Sequence, residues 1–578
     1  MSLGGSLLIG QSALTASQIA LQVAGNNIAN ASTPGFTRQV AHLSTVRGRQ
    51  VNTGTFVGRG VQVAGVNRAI DEALVQRLRN ARSDTAAAQT QQQALSQIES
   101  LLNELSGSDL STQLSEFFNA FSEMANSPGS SVTRATVVEQ GAALSSFVRE
   151  MRSQLTRQQQ QVDTQIRIAT ERADTLLSQV AELNLAVTDA ELGGLSSEEG
   201  NLRDQRDAII SELADMMDIT VLEQDSGAVD ILVGSTPVVF AGTSRGLQTI
   251  VRTVDGAPEL RVATKLNQEE INIEGGRIGG FLAQRDGPIG QTIDSLDDLA
   301  SALIFEVNRA HSQGRPGIGL RDATGWLRVP AADQVLALND PNNETLADLP
   351  FGPSNGSFRV VITDQSGNRH EDIIQVDLDG IDNTGASGFS DDMTMTDLVN
   401  ALDAIANLNA EITPSGQLRV YTDTGYEVSF RDDTSGVLAT FGINTYFQGA
   451  DATDIAVRAD LRDNPDRLVV GHEHGTNENA LAIANLREAG VESLSGESLT
   501  GAWLKTVDRV SVQANSANAR AEALATVQQS LEAQQAAVSG VSLDEEAINL
   551  INYQQQYQGA ARFISVVNEL TQVLLNLV

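Results

Sequence analysis

Cysteine is absent from the 578 residues. That absence removes disulfide frameworks, thiolate metal sites and cysteine nucleophiles, and leaves the redox compartment open. Cationic side chains are few: 38 Lys and Arg stand against 73 Asp and Glu, a formal net charge of −35. Lysine is nearly missing, with Lys265 and Lys505 its two occurrences. A surface of that sign repels nucleic acid and has no attraction for anionic lipid. Solubility through self-repulsion accounts for it, with a calcium-rich or saline exterior as the alternative. Aromatic residues make up 4%, so the cores are expected to be Leu, Ile, Val and Ala. No stretch is read as approaching the roughly 20 apolar residues of a membrane span. A secretory signal is not expected either, because such a signal carries its charge ahead of its apolar core and the first basic residue here is Arg38.

Catalytic patterns are equally thin. There is no Gly-x-x-x-x-Gly-Lys phosphate loop and no His-Glu-x-x-His. Gly242–Gly246 and Gly352–Gly356 match the Gly-x-Ser-x-Gly string, but neither lies between a strand and a helix, so both read as turns. His472-Glu473-His474 lacks a third ligand and reads as a surface tract. Asp377-Leu378-Asp379-Gly380-Ile381-Asp382 has the wrong spacing for an EF-hand and reads as a polar turn. The charges of Asp204-Gln205-Arg206-Asp207 are expected to cap and pair locally on a helix. No catalytic residue, cofactor or metal ligand is expected.

What is present is helix at both ends. Leu7, Leu14, Leu21 and Ile28 recur every seven residues, with Leu3, Gly10, Ser17 and Ala24 between them. This is a heptad seam with small residues on one half, equally compatible with a paired helix or with one amphipathic helix lying on its own domain, and ending near Asn30 because Ser32-Thr33-Pro34-Gly35 is a turn signal. At the other end Leu543, Ala547, Leu550, Tyr557, Ala561 and Ile564 form a seam that Phe563, Val567, Leu570, Val573, Leu574 and Leu577 continue with a shift. Asp544, Glu545 and Glu546 suit the first turn of that helix. Between the ends, residues 36–66 read as short strands or an extended loop. Residues 68–105, 131–192, 201–217, 291–310 and 502–538 read as helices, and 220–263 as strands. Residues 331–470 read as a β-rich lobe carrying 24 acidic and 7 basic residues. In it Phe358–Ile362 and Ile374–Leu378 form one hairpin, and Leu418–Val420 and Tyr426–Phe430 a second. One helix there starts from a Thr394 cap.

The fold class is therefore multidomain and mainly α with β: a long-helix bundle, N- and C-terminal coiled-coil helices, and an inserted β-rich domain. The expected division is 1–60 with 540–578 as a terminal coiled-coil domain. Residues 61–330 with 471–539 are a helix bundle with β-hairpins, and 331–470 an acidic outer domain.

Asn26-Asn27-Ile28-Ala29-Asn30-Ala31-Ser32-Thr33-Pro34-Gly35-Phe36-Thr37-Arg38-Gln39 resembles the N-terminal signature of the axial flagellar proteins, the rod, hook and hook-associated subunits. Its Thr-Pro-Gly-Phe-Thr-Arg-Gln ending is most similar to the hook-associated protein 1 (FlgK) family. Ser539–Glu546 followed by Tyr553–Arg562 resembles the C-terminal signature of that family, with Gly559 a departure. Internal resemblance lies in Asn201–Asp207, Gly279–Asp286 and Val307–His311. It covers residues 1–320 and 475–578.

The resemblance implies a non-enzymatic structural subunit of the hook–filament junction. Export by the flagellar type III route without a cleaved signal would place it in the extracellular flagellum. Its implied partners are copies of itself in a ring, the hook protein, the next hook-associated junction protein with flagellin beyond it, and a FlgN-type export chaperone. Neither nucleic acid nor membrane is among them. The implied assembly interface is Leu7, Leu14, Leu21, Asn27, Ile28, Asn30, Pro34 and Gly35, with Leu543, Leu550, Tyr557, Ala561, Ile564, Val567, Leu570, Leu574 and Leu577. The chaperone is expected on Leu543, Ile551, Phe563, Leu570 and Leu574. The terminal helices are not expected to touch stably in the free monomer, since isolated amphipathic helices are marginal in water. Another axial subunit, an enzyme carried in residues 331–470, and a calcium-dependent adhesin lobe are the alternatives.

Overall fold

The computed structural model describes residues 3–52, 55–102, 109–192, 196–254, 257–382 and 384–576. Leu577 lies outside them. The chain falls into two compact units. One comprises Met1–Ala94, Val162–Asp286 and Ser516–Val578, the other Leu95–Gln161 and Gly287–Asn515.

The first unit holds both chain ends. The N-terminal helix, Leu3–Asn30, stops where the turn signal stands: Thr33 N–H donates to Asn30 O at 2.9 Å, and Gly35 takes a φ of +79°. An antiparallel hairpin follows, Gln39–Thr45 with Val61–Arg68, pairing Gln39 with Arg68 and carrying a bulge at His42/Leu43. Glu72–Leu102, Ser131–Leu192 and Ser196–Met216 are helical as expected. Strands Thr220–Glu223, Val229–Val233, Thr236–Phe240 and Thr243–Ser244 then form a sequential four-stranded antiparallel meander. The C-terminal helix, Leu543–Leu575, begins at a Ser542 cap that accepts from Glu545 N–H, with three acids in its first turn.

Two expectations fail here. The terminal helices are paired in the structure rather than apart. And Leu3–Asn30 is long and apolar enough, by length and composition, to cross a membrane. Much of its apolar character is Ala and Gly, and that face packs on the C-terminal helix.

The second unit departs from an aliphatic core. Leu110–Asn126 is a helix not anticipated in the sequence, capped by Asp109, whose side chain accepts Thr112 N–H at 2.7 Å. It places Phe117 and Phe121 against Tyr446, with ring centroids 5.5–5.8 Å apart, and Phe447 joins at 4.6 Å from Tyr446. Phe117, Phe118, Phe121, Tyr446 and Phe447 thus form one buried aromatic cluster. Tyr446 donates its hydroxyl to Val137 O at 2.7 Å. The Tyr446 hydroxyl oxygen occupies the space where a Cβ on Gly141 would sit, which explains the one glycine in Ser131–Leu192. Gly141→Ala raises helix propensity by about 1 kcal/mol yet is expected to destabilise this unit by about 1–3 kcal/mol through overpacking. Thermal unfolding of the variant checks the sign.

In the lobe the first hairpin is as expected, Gly356–Asp364 with Arg369–Val376. The helix Met395–Asp403 starts with a full Thr394/Asp397 capping box. The second hairpin is not formed. Leu418–Thr422 pairs with Leu408–Ile412 and Asp322–Thr324, whereas Tyr426–Arg431 pairs with Gly356–Asp364 in another sheet. Setting Val428 opposite Ile362 and Phe430 opposite Val360 puts both apolar faces into one core.

Candidate assembly interface

The N-terminal helix buries Gly10, Ala16, Ser17, Ala20, Ala24 and Asn27. Gly10, Ser17 and Ala24 are seven apart, and Ala20 and Asn27 follow at the second heptad position, so the inner stripe is built from small residues. It packs on the C-terminal helix, which buries Glu546, Ala560 and Val567 and half-buries Leu550, Tyr553, Ala561 and Ile564. At Gly10 the approach is closest: a Cβ there would lie 2.7 Å from Ile564 Cγ1 and 3.0 Å from Phe563 Cδ1. Leu7, Leu14, Leu21 and Ile28 are half-buried along the edge of this seam. The small residues take the centre because helix backbones come close only where side chains are short.

A polar clasp closes the end of the seam. Asn27 is 1% exposed; its Nδ2 donates to Gln39 O at 2.8 Å and to Glu546 Oε2 at 3.1 Å, and its Oδ1 accepts Gln39 N–H at 3.0 Å. Arg38 Nε donates to Glu546 Oε1 at 2.9 Å, and its backbone N–H to Ser539 O at 3.0 Å. Helix end, hairpin and C-terminal helix are thus tied through one carboxylate that is almost fully buried. Glu546→Ala removes the carboxylate that Asn27 and Arg38 share, leaving Asn27 on Gln39 O and Arg38 beside Glu545, and is expected to cost about 1.5–3 kcal/mol, as for a lost charged hydrogen bond. Hydrogen exchange should then quicken in both terminal helices while Leu110–Asn126 is unchanged.

A second node lies under the hairpin. Asp204 accepts Thr37 N–H at 3.1 Å and Arg68 Nη1 at 2.9 Å. Asp207 accepts Arg68 at 2.7 Å and Arg79 at 3.1 Å. These carboxylates pair across the fold and not locally, correcting the sequence reading. Burial pushes the Arg68 pKa down, but Asp207 and Asp204 outweigh it and hold it raised; in Arg79 burial prevails over Asp207 and the pKa is lowered. Arg206 is buried on Asn184 Oδ1 at 3.1 Å and Gly227 O at 2.7 Å, and its burial lowers its pKa. In the other unit Asn308 and His311 play the same part. Asn308 Oδ1 accepts Tyr446 and Phe447 N–H, and His311 Nδ1 contacts Asn444 O at 2.8 Å while Nε2 accepts Val469 N–H. Burial pushes the His311 pKa down to about 4, so it serves as a neutral linker.

The outer face of the C-terminal helix is bare. Phe563, Val566, Leu570 and Val573, spaced three and four apart, are 44–55% exposed, and Leu574 and Leu575 continue the apolar surface. The residues anticipated for assembly therefore divide. Leu550, Ala561, Ile564 and Val567 face the N-terminal helix, while Leu543, Tyr557, Leu570 and Leu574 face solvent. Asn30 is half-buried, and Pro34 and Gly35 are exposed at the turn. The five chaperone candidates, Leu543, Ile551, Phe563, Leu570 and Leu574, are all exposed. Arg38, Gln39, Glu546, Asp204 and Arg68 were missed as site residues, although four of them lie inside the quoted signatures.

The enzyme-like strings behave as structure. Ser244, in the edge strand Thr243–Ser244, accepts Gly246 N–H on its Oγ at 3.2 Å, and Ser354, in an irregular segment, rests on Ser435 O. Glu473 is held by Arg369 and Arg431.

A paired-terminus subunit of this kind meets its relatives at both ends. Residues 7–37 match the family of flagella basal body rod proteins, and 526–577 the C-terminal family of flagellar basal body rod FlgEFG proteins. The two matches include the two helices of the seam, so both ends of the chain are similar to basal body rod proteins of the bacterial flagellum. Residues 95–325 match the helical domain of flagellar hook-associated protein FlgK. Flagellar hook-associated protein 1 of Escherichia coli (strain K12) is 25% identical over 587 residues, and that of Salmonella typhimurium (strain LT2) 26% over 577, each with 98% of both chains covered. The solved structure of the flagellar hook junction protein FlgK from Burkholderia pseudomallei has a TM-score of 0.49 at 14% identity, covering 80% of this chain and 100% of that one. Over residues 95–325, and in relatives that align over nearly its whole length, the chain is thus similar to the flagellar hook-associated protein FlgK.

Proposed function

We propose that this chain is the structural subunit that joins hook to filament and lets flagellin assemble on the hook, acting by assembly and not by catalysis. The observation that carries this reading is the terminal helix pair: its inner face is closed by small residues, and its outer face leaves Phe563, Val566, Leu570 and Val573 in solvent. Neighbouring copies of the same pair are the occupants of that face, closing a ring. Residues 1–60 with 540–578 form the assembly domain, and the acidic lobe faces outward.

The hook protein lies on one side of the ring, and the next junction protein, followed by flagellin, on the other. Before export the apolar stripe serves a FlgN-type chaperone through Leu543, Ile551, Phe563, Leu570 and Leu574. Export through the flagellar type III route keeps the N-terminus, so the Leu3–Asn30 seam reaches the extracellular flagellum intact.

Electron microscopy of a strain lacking this chain tests the role. Hooks without filaments, with flagellin shed to the medium, are the expected result; filaments of normal length would refute the junction role.

A further inference from the structure

The acidic lobe contains a cluster that the assembly role does not use. Asp377 and Asp379 follow the strand Arg369–Val376, and Asp392 precedes the helix Met395–Asp403. Two hydrogen bonds bring these stretches together: Met393 N–H to Asp377 O at 2.8 Å between backbones, and Gly380 N–H to the Asp392 side-chain Oδ2 at 3.1 Å. One carboxylate oxygen from each of Asp377, Asp379 and Asp392 then lies within 4.8 Å of the others. Among the described residues no Lys or Arg pairs with any of the three.

The second observation is a set of buried oxygens without donors. Asp392 is 3% exposed; its Oδ2 takes Gly380 N–H and Asn339 Nδ2 at 2.7 Å, but its Oδ1 is buried with no partner. Asn339 Oδ1, beside it, and Asp391 Oδ1, next in the chain, are buried and unpartnered as well. A buried acceptor left unmade costs about 1–3 kcal/mol, and more when charged. The unmet groups are all oxygens, and three ionised carboxylates stand together with no cationic side chain to offset them. A hard divalent cation would offset the three carboxylates and give the buried Asp392 carboxylate a further partner.

We propose that Asp377, Asp379 and Asp392 bind one calcium ion, with the buried carboxylate of Asp392 as the inner ligand and the two exposed aspartates closing the rim. Calcium–oxygen distances of about 2.3–2.6 Å allow ligand oxygens up to about 5 Å apart, whereas magnesium, at about 2.0–2.1 Å, requires a tighter set. The all-oxygen donors disfavour zinc. The ion ties the end of one strand to the start of one helix and so stiffens the lobe, independently of the junction role.

The test is calorimetric titration of the chelator-stripped, full-length protein with calcium chloride in physiological salt. One site per chain is expected, with a Kd of about 10⁻⁴–10⁻³ M, the range of extracellular calcium modules. Asp392→Asn and the exposed Asp379→Asn should each weaken it by about tenfold or more. Asp225→Asn, in the other unit, should leave it unchanged. Asp379→Asn removes an exposed rim group, so it keeps the test sharp if Asp392→Asn perturbs folding. Absence of saturable binding in the wild type, or equal binding by wild type and Asp379→Asn, would overturn the assignment in favour of diffuse binding to an acidic surface.

Discussion

Removal of residues 543–578 abolishes filament assembly and chaperone binding while the second unit stays folded: this is the largest effect expected of any change to the chain. The deletion takes away the partner of Gly10, Ser17, Ala20 and Ala24 and the carboxylate that Asn27 and Arg38 share. An isolated amphipathic helix is marginal in water, so Leu3–Asn30 should melt as well. Circular dichroism should therefore lose more helix than the 33 residues of the C-terminal helix. The Phe117–Phe121–Tyr446 cluster draws nothing from the deleted segment and should unfold cooperatively as before. A truncated chain that still supports filaments in a complemented strain would sink the assembly reading.

The second large effect needs two substitutions. Leu570→Asp with Val573→Asp should leave the monomer folded and its seam paired, because both side chains are more than half exposed. In an assembled ring the same positions would be buried. Each loses roughly 1 kcal/mol of the 1.5–3 kcal/mol that full burial of such a side chain supplies, and each adds a carboxylate that must be desolvated without a partner, at several kcal/mol. Assembly should weaken by at least about a hundredfold, since every 1.4 kcal/mol is tenfold. Val512→Asp, on an exposed position of the helix Leu499–Ser539, is the matched control and should assemble normally. Motility and shed flagellin in complemented strains read the difference.

The heptads of both ends were legible because a period of seven is local. Which stripe faces inward was not. Leu7–Leu14–Leu21 and Gly10–Ser17–Ala24 share one period, and only the partner decides between them. That partner begins at Leu543, more than five hundred residues away. The clasp was hidden for the same reason: nothing in the spacing of Asn27, Arg38 and Glu546 says that they meet, and their motifs pointed to a family without showing that they hold three elements together. The same holds for Asp204 and Asp207, whose neighbours in sequence suggested local pairing while Arg68 and Arg79 were their partners.

In the lobe, alternation identified Gly356–Asp364 and Arg369–Val376, since a polar turn joins them directly. Alternation could not tell that Leu418–Thr422 and Tyr426–Arg431 belong to different sheets. The short Asp423–Gly425 connection looks like a hairpin turn, and it is indeed closed by Tyr426 N–H on Asp423 O at 3.1 Å. The strand after it turns to Gly356–Asp364 because its Val428 and Phe430 complete that core. Aromatic scarcity misled in a similar way: the count was low, but five of the rings meet in one buried cluster.

The most direct measurement of the account exploits the missing cysteines. Leu570→Cys would carry the chain's sole thiol on the outer stripe of the C-terminal helix. Maleimide labelling of the purified monomer is compared with labelling of intact flagella from a complemented, motile strain. The account predicts rapid labelling in the monomer and protection in the flagellum; equal labelling in both, with filaments present, would contradict it.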